Sequence, residues 1–357
     1  MLRKITQSHY MPGAYLLTGL ISIIILITSP KSTSMATEEK ARCVIKIATL
    51  APDGTAWMKA MRAMANYVEE ASGGLVHTRF YTGGIMGDEP DVVRKMKLGQ
   101  LDGSGVSLTG VRLTCPEFQV LELPFLFSDR AFDEAEYLYS KLEHEFDQYA
   151  EKRGYKLITI ASAGFAHIWS KGRLNSILKD FPRQKVWQWE GEPVMLKISR
   201  ALHVPTISLP LPDTLTALQT GMINAFYGTP IHVLSFQWSK YVDHIYKPSI
   251  FYTPSFVVVT KKAWNRIPPD IQKLYFDEQA QRIKREALQW IHQADEDSLK
   301  VLEKSGIKVV EIPPEELEKI RQKTRRVWEE MSGKYFPREL LDRVEKILEE
   351  YRSSKQR

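Results

Sequence analysis

The chain has 357 residues, 43% of them apolar, with a formal net charge of +6 and two cysteines. That length is enough to bury a substantial core and suggests two lobes rather than one. Its basic residues are interspersed with acids along the helices and form no arginine-rich arm, which argues against a nucleic-acid partner.

Arg3 and Lys4 precede the apolar run "AYLLTGLISIIILI" (14–27), which leads to the small-residue site Ser34-Met35-Ala36. This is the three-part pattern of a secretory signal, expected to be cleaved after Ala36 and to release a soluble exported protein; an uncleaved N-terminal anchor is the competing reading. Removing residues 1–36 takes away Arg3, Lys4 and Lys31 and no acid, so +3 of the +6 remains. Export permits a disulfide, but Cys43 precedes the first strand and Cys115 follows the third. They are therefore expected at opposite sheet edges, as two separate thiols.

"VIKIATL" (44–50) reads as an apolar strand ending in the turn Ala51–Gly54. A helix follows with Trp57, Met58, Met61, Ala65 and Val68 on one face and a Gly73-Gly74 stop. "LVHTRFY" (75–81) alternates as a second strand, and the next helix opens near Asp88, with Pro90 early and Gly99 at its end. "LDGSGVSLTG" (101–110) predicts a third strand, residues 130–153 an amphipathic helix, and "YKLITIAS" (155–162) a fourth strand. The second half repeats this logic, with strands near 165–170, 185–189, 204–209 and 222–228 and helices near 192–202, 213–221 and 229–239. "SFVVVT" (255–260) is a further strand. Residues 268–305, without Gly or internal Pro after Pro269, predict one helix of about 55 Å lying along both lobes.

Repeated βα units imply an α/β protein whose sheets are parallel and flanked by helices on both faces. Ligands of such sheets bind at the carboxyl ends of the strands, and two facing lobes form a cleft that closes by hinge motion. Catalytic motifs are missing: there is no HExxH, G-x-S-x-G, P-loop or dinucleotide glycine fingerprint. The histidines are scattered, His232 and His244 included, and acid pairs such as Glu315-Glu316 read as solvated helix faces. The expectation is a binding protein, not an enzyme, with no metal and no cofactor.

Four stretches carry a family resemblance: "KIATLAPDGTAWMKAM", "FYTGGIMGDEPDVVRKMKLGQLDGSGVSLTG", "PEFQVLELPFLF" and "LPLPDTLTALQTGMINAFYGTP". In this order they resemble the extracytoplasmic solute receptors of TRAP transporters, from about Val44 to the C-terminal region. The resemblance implies a two-lobed, type II-like periplasmic-binding-protein fold, each lobe a mostly parallel sheet, joined by crossing strands and a long helix. It implies lobe I from 37–163 plus 253–292 and lobe II from 164–252 plus 293–357, hinged near 163–165 and 250–254. It further implies a periplasmic location, a small-molecule ligand and a membrane permease as partner, and leaves monomer and dimer both open.

The family's carboxylate clamp uses one Arg in a "G-x-R" strand and one in a "K-[IVL]-R-V-P" strand. Here Ala166 ("AGFAHIW", 163–169) and Trp187 ("KVWQW", 185–189) stand at those places. The neighbouring His167 is expected to point to the opposite face. By the resemblance Trp187 faces the cleft, and strand alternation sends Trp189 the same way. Tyr227, Phe226 and Phe165 come from neighbouring strands, while Thr55, Trp57, Ser107 and Thr109 follow strand exits. For Thr55 and Trp57 the plain alternatives are a helix cap and a core anchor. An aromatic cleft without guanidinium favours an apolar, aromatic or neutral ligand over a simple carboxylate. A carboxylate receptor with a different clamp and an exported sensing module for a receptor kinase are the competing readings.

Overall fold

The computed structural model describes residues 43–355, so the export signal read at residues 1–36 lies outside the described residues. Three strands lead the chain: β1 (Cys43–Thr49), β2 (Val76–Tyr81) and β3 (Gly103–Ser107). β1 pairs in parallel with both β2 and β3. The helix Ala56–Ala71 connects β1 to β2, and Thr55 caps it by accepting a hydrogen bond from Met58 N at 3.3 Å. The helix Glu89–Lys97 connects β2 to β3; Asp88 caps it through Glu89 N at 2.8 Å.

A long strand, β4 (Tyr155–Ser170), then crosses the molecule. β5 (Val186–Trp189), β6 (Thr206–Leu209) and β7 (Ala225–Gly228) form a second parallel group. β8 (His244–Thr260) returns across the molecule, and the short β9 (Lys308–Glu311) pairs alongside it. The nine strands form one sheet in the order β2-β1-β3-β8-β4-β7-β5-β6, with β9 on β8.

Two features of the sequence reading change. The strands expected separately at 155–162 and 165–170 are one element, and β8 extends "SFVVVT" back to His244. β4 and β8 run antiparallel and join the two parallel groups into one continuous sheet. Gly164 takes a positive φ of 99° inside β4, where the ladder shifts register between Ser162 and Phe165. The predicted helix over 268–305 also divides. A short turn at Pro269–Gln272 precedes the helix Glu278–Lys304, which Asp277 caps by accepting from Ala280 N at 2.8 Å. "LDGSGVSLTG" likewise ends as a strand at Ser107, and Leu108–Val111 turns into a helix.

The core falls into clusters that follow this division. Ile45, Met58, Val76, Val257 and Trp264 pack in the first half, under the helix Ala56–Ala71. Trp169, Trp187, Phe226 and Trp238 pack in the second. A larger cluster runs through Phe118, Phe146, Phe256 and the C-terminal helix Arg338–Lys355. Cys43 is half-buried and Cys115 buried, and both are free thiols.

Gly164 sits where the sheet changes register, against the long helix. A Cβ placed there would lie 2.7 Å from Cγ and Oδ1 of Asp295. Gly164→Ala is therefore expected to cost about 1–3 kcal/mol, from the strained φ and the contact together; an unchanged urea midpoint would contradict it. Asp295 itself is buried, and burial raises its carboxyl to about 7 against the pull of Arg130 and the backbone N–H of Ile231. Its folded value lies above its unfolded one, so the folded state binds the extra proton. The associated stability is fully present below about pH 4 and is lost as the pH rises through about 7. Between pH 5 and pH 8 wild type should lose about 2.6 kcal/mol more than Asp295→Asn, measured by urea unfolding at each pH.

Candidate functional site

The strand exits of the two halves meet over a cavity of about 680 Å³, counting its open mouth. The first half contributes Thr49 to Pro52, Thr55, Trp57, Glu89 and Gly105 to Ser107; the second contributes Trp189, Leu211, His232, Ser235 and Phe236. Ser162, Ala163 and Ser255 come from the crossing strands, and Ile291 from the long helix. The cavity thus lies at the carboxyl ends of β1, β3 and β5, where open α/β sheets place their ligands.

Most of its polar groups are already engaged. Glu89 accepts from Ser107 N at 2.7 Å, Ser107 Oγ at 2.8 Å and Gly110 N at 2.6 Å. Burial pushes its carboxyl up to about 8, while these donors pull the other way. Thr55 Oγ1 donates to the Pro52 carbonyl at 2.9 Å, and Ser162 Oγ accepts from Gly164 N at 2.9 Å. Burial lowers His232 to about 4, so its imidazole is neutral at pH 7. Ser255 Oγ is buried with no hydrogen-bond partner among the described residues. No Lys or Arg stands in the lining. The walls therefore offer aromatic faces and neutral hydrogen-bonding groups.

Beside the cavity a polar seam ties the halves together. The carboxylate that caps the helix Glu89–Lys97 accepts across the gap: Asp88 Oδ2 lies 3.0 Å from Trp189 Nε1 and 3.4 Å from Leu211 N. Thr109 Oγ1 donates to Glu192 Oε1 at 2.6 Å, and Tyr227 donates its phenolic proton to Glu192 Oε2. Burial raises the Glu192 carboxyl, partly offset by these two hydroxyls. Glu122 is raised well above its usual value by burial and then by Glu192. Arg112 faces the field of Glu192, Glu89 and Glu122, and its Nε is buried without a hydrogen-bond partner. Its guanidinium lies so close over Gly191 that a Cβ there would meet Nη2 at 2.6 Å.

The sequence-predicted residues are distributed unevenly around this site. Thr55, Trp57, Ser107 and Trp189 line the cavity. Thr109 and Tyr227 belong to the Glu192 seam instead. Trp187 lies behind Trp189 and is only 2% exposed. Its ring stacks on Trp189 at 6.2 Å and Tyr227 at 5.6 Å, and its Nε1 donates to the Leu209 carbonyl at 3.1 Å. The two indoles share a face as alternation requires, but only the one at the strand end reaches the cavity. Phe226 is buried against Trp169 and Trp238. Phe165 packs edge-on to Phe132 and Tyr252, and Ala166 is buried in the ladder opposite Phe251. The structure places none of these three in the lining.

Sequence reading missed Asp88 as more than a cap, and it missed Glu89, Glu192 and Ser255. No local pattern marks them, because their partners lie far away along the chain. Among the described residues no group of His, Cys, Asp and Glu is arranged to hold a metal ion.

Comparison with known proteins places this architecture. The model of the bacterial extracellular solute-binding proteins, family 7 (DctP), matches residues 47–334. The chain belongs to that family. It is a solute-binding protein rather than an enzyme. A solute-binding protein of Verminephrobacter eiseniae is 23% identical over 225 residues, 63% of this chain and 67% of that one. Solved structures share the two-lobed fold. A TRAP periplasmic solute-binding protein from Pseudomonas putida F1 with bound D-glucuronate has a TM-score of 0.75 at 22% identity, covering 84% of this chain and 96% of its own. One from Desulfovibrio salexigens with bound orotic acid has a TM-score of 0.79 at 18% identity, covering 87% and 99%. The sugar acid binding protein of Advenella mimigardefordensis in complex with galactonate has a TM-score of 0.79 at 21% identity, covering 87% and 99%. No helix among the described residues is long and apolar enough to cross a membrane.

Because Thr109 and Tyr227 share Glu192, their removal should not be additive. Tyr227→Phe alone is expected to cost about 1–3 kcal/mol, since it deprives a buried carboxyl of a donor. A cycle with Thr109→Val should show a coupling of about 0.5–3 kcal/mol in urea unfolding; strict additivity would mean that the two hydroxyls act independently.

Proposed function

We propose that this chain is the extracytoplasmic receptor of a TRAP-type transporter and that it captures a neutral or apolar small molecule rather than a carboxylate. The observation that carries the ligand reading is the lack of any Lys or Arg in the lining of the cavity between the halves. The structural neighbours were solved with acids bound, D-glucuronate, orotic acid and galactonate among them. A carboxylate in this cavity would be desolvated without a cationic partner, at a cost of several kcal/mol. Arg112 is the nearby guanidinium, but it lies outside the lining, among the carboxyls of Glu89, Glu122 and Glu192.

Trp57, Trp189 and Phe236 would supply contact area. The uncommitted Ser255 Oγ would bond the ligand's polar atom. Capture would close lobe I (37–163 plus 253–292) on lobe II (164–252 plus 293–357) about hinges near 163–165 and 250–254. The closed protein would then meet its permease subunits.

Two measurements test the ligand class. Native mass spectrometry of the protein as purified should show a retained neutral molecule. In thermal unfolding, D-glucuronate, galactonate and orotate at millimolar concentration should leave the midpoint unmoved, whereas a ligand at 100 times its Kd stabilises by about 2.7 kcal/mol. A large shift with any of the three acids would overturn the ligand class. With the retained ligand, Trp189→Ala should weaken binding by about 2–4 kcal/mol, as expected for a buried aromatic anchor.

A further inference from the structure

The helices Pro193–Ala201 and Pro314–Met331 pack together and leave a groove of about 1130 Å³, counting its open mouth. Lys197 and Arg200 of the first helix line it, with Lys319, Lys323 and Arg326 of the second. Glu330 is the one acid in the lining. These charges give the groove a net +4, more than the +3 that residues 37–357 carry as a whole. None of its residues lines the cavity between the halves.

Internal pairing leaves most of this charge in place. Lys197 Nζ donates to Glu330 Oε2 across the two helices. Among the described residues no acid pairs with Arg200, Lys319, Lys323 or Arg326, and all four are exposed. Basic residues that the second helix turns elsewhere do have partners: Arg321 has Glu318 at 3.6 Å, and Arg325 has Glu345 at 2.6 Å. Like charges four residues apart on a helix, such as Lys319 and Lys323, repel one another, so an anionic occupant relieves the groove.

The shape of the groove selects among anions. A small anion would meet exposed cations one at a time, and each such pair is individually weak. A flat anionic bilayer would touch only the rims of a groove between helices. Single-stranded nucleic acid stacks its bases on aromatic rings, and among the described residues no Phe, Tyr or Trp lines the groove. An extended polypeptide fits its spacing: Lys319 and Lys323 are about 6 Å apart along their helix, and alternate side chains of an extended chain are about 6.8 Å apart. We propose that this groove is a docking site for an acidic segment of a partner protein, laid extended between the two helices with alternate carboxylates on Lys319, Lys323 and Arg326. The solute held between the halves does not enter this inference.

The test is fluorescence anisotropy of a dye-labelled peptide of alternating glutamate and serine, about eight residues long, titrated with the full chain. Binding should be saturable at one site at about 0.02 M salt and weaken at least tenfold by about 0.2 M. The double variant Lys319→Glu/Lys323→Glu should weaken it at least tenfold. Lys262→Glu/Lys273→Glu makes the same change in net charge at exposed lysines outside the groove and should leave the affinity within about twofold. In sedimentation with phosphatidylglycerol vesicles, wild type and Lys319→Glu/Lys323→Glu should behave alike. No saturable binding of the peptide by wild type, or equal weakening in both double variants, would overturn the proposal. So would vesicle binding that Lys319→Glu/Lys323→Glu abolishes, since the groove would then serve a membrane.

Discussion

Everything in this protein hangs on the antiparallel pairing of β4 with β8. Each strand is long enough to belong to both halves, and their ladder runs from Tyr155 opposite Thr260 to Ser170 opposite His244. β3 attaches to β8 and β7 to β4, so the two parallel groups are docked on the two sides of one central pair. Without that pair each group would be a small sheet with an open edge, which is a poor independent unit. The pairing is not uniform. It breaks register at three places, and the break between Ser162 and Phe165 coincides with the positive φ of Gly164. A continuous sheet with local irregularities along its central pair joins the two parallel groups.

The same crossing brings the strand exits of the two halves face to face and so determines the chemistry there. Carboxyls dominate the seam: Asp88 receives Trp189 and Leu211, and Glu192 receives Thr109 and Tyr227. Satisfied buried polar networks of this kind specify a particular docking geometry more than they add net stability. They also leave the adjoining cavity electrically plain. Its hydroxyls mostly face protein acceptors, its imidazole is neutral, and its rings come from both halves. Two indoles, Trp57 and Trp189, line the cavity, and the Ser255 hydroxyl is buried beside it without a hydrogen-bond partner among the described residues.

Trp187 belongs to the second half's core. An arginine at that place would need solvent or an anion for its charge. The indole instead finishes a stack with Trp189, Tyr227 and Trp238 and donates its N–H to the Leu209 carbonyl of the neighbouring strand. Ala166 leaves no side chain to reach the cavity at all. Trp187 is part of the second half's core and Ala166 of the larger cluster, while Trp189 at the strand end lines the cavity.

Much of this was legible in the sequence, and the reason is locality. The period of the apolar residues, the caps Thr55 and Asp88 and the glycine stops placed the early helices, because those signals act within a few residues. Alternation put Trp187 and Trp189 on one face, and the order of short motifs pointed to the family. Neighbouring residues could not reveal that 155–162 and 165–170 are one strand, since only pairing with β8 across the molecule carries the chain straight through Gly164. Nor could they show that Trp189 lines the cavity and Trp187 does not, because that depends on what packs above the strand. Asp88 meeting Trp189, Thr109 meeting Glu192 and Ser255 left unpaired join segments dozens of residues apart. The sequence by itself determined most of the elements, the fold class and the lack of an arginine at positions 166 and 187. Only the tertiary structure decided which side chains enclose the cavity, because that is settled by contacts between segments that no local pattern couples.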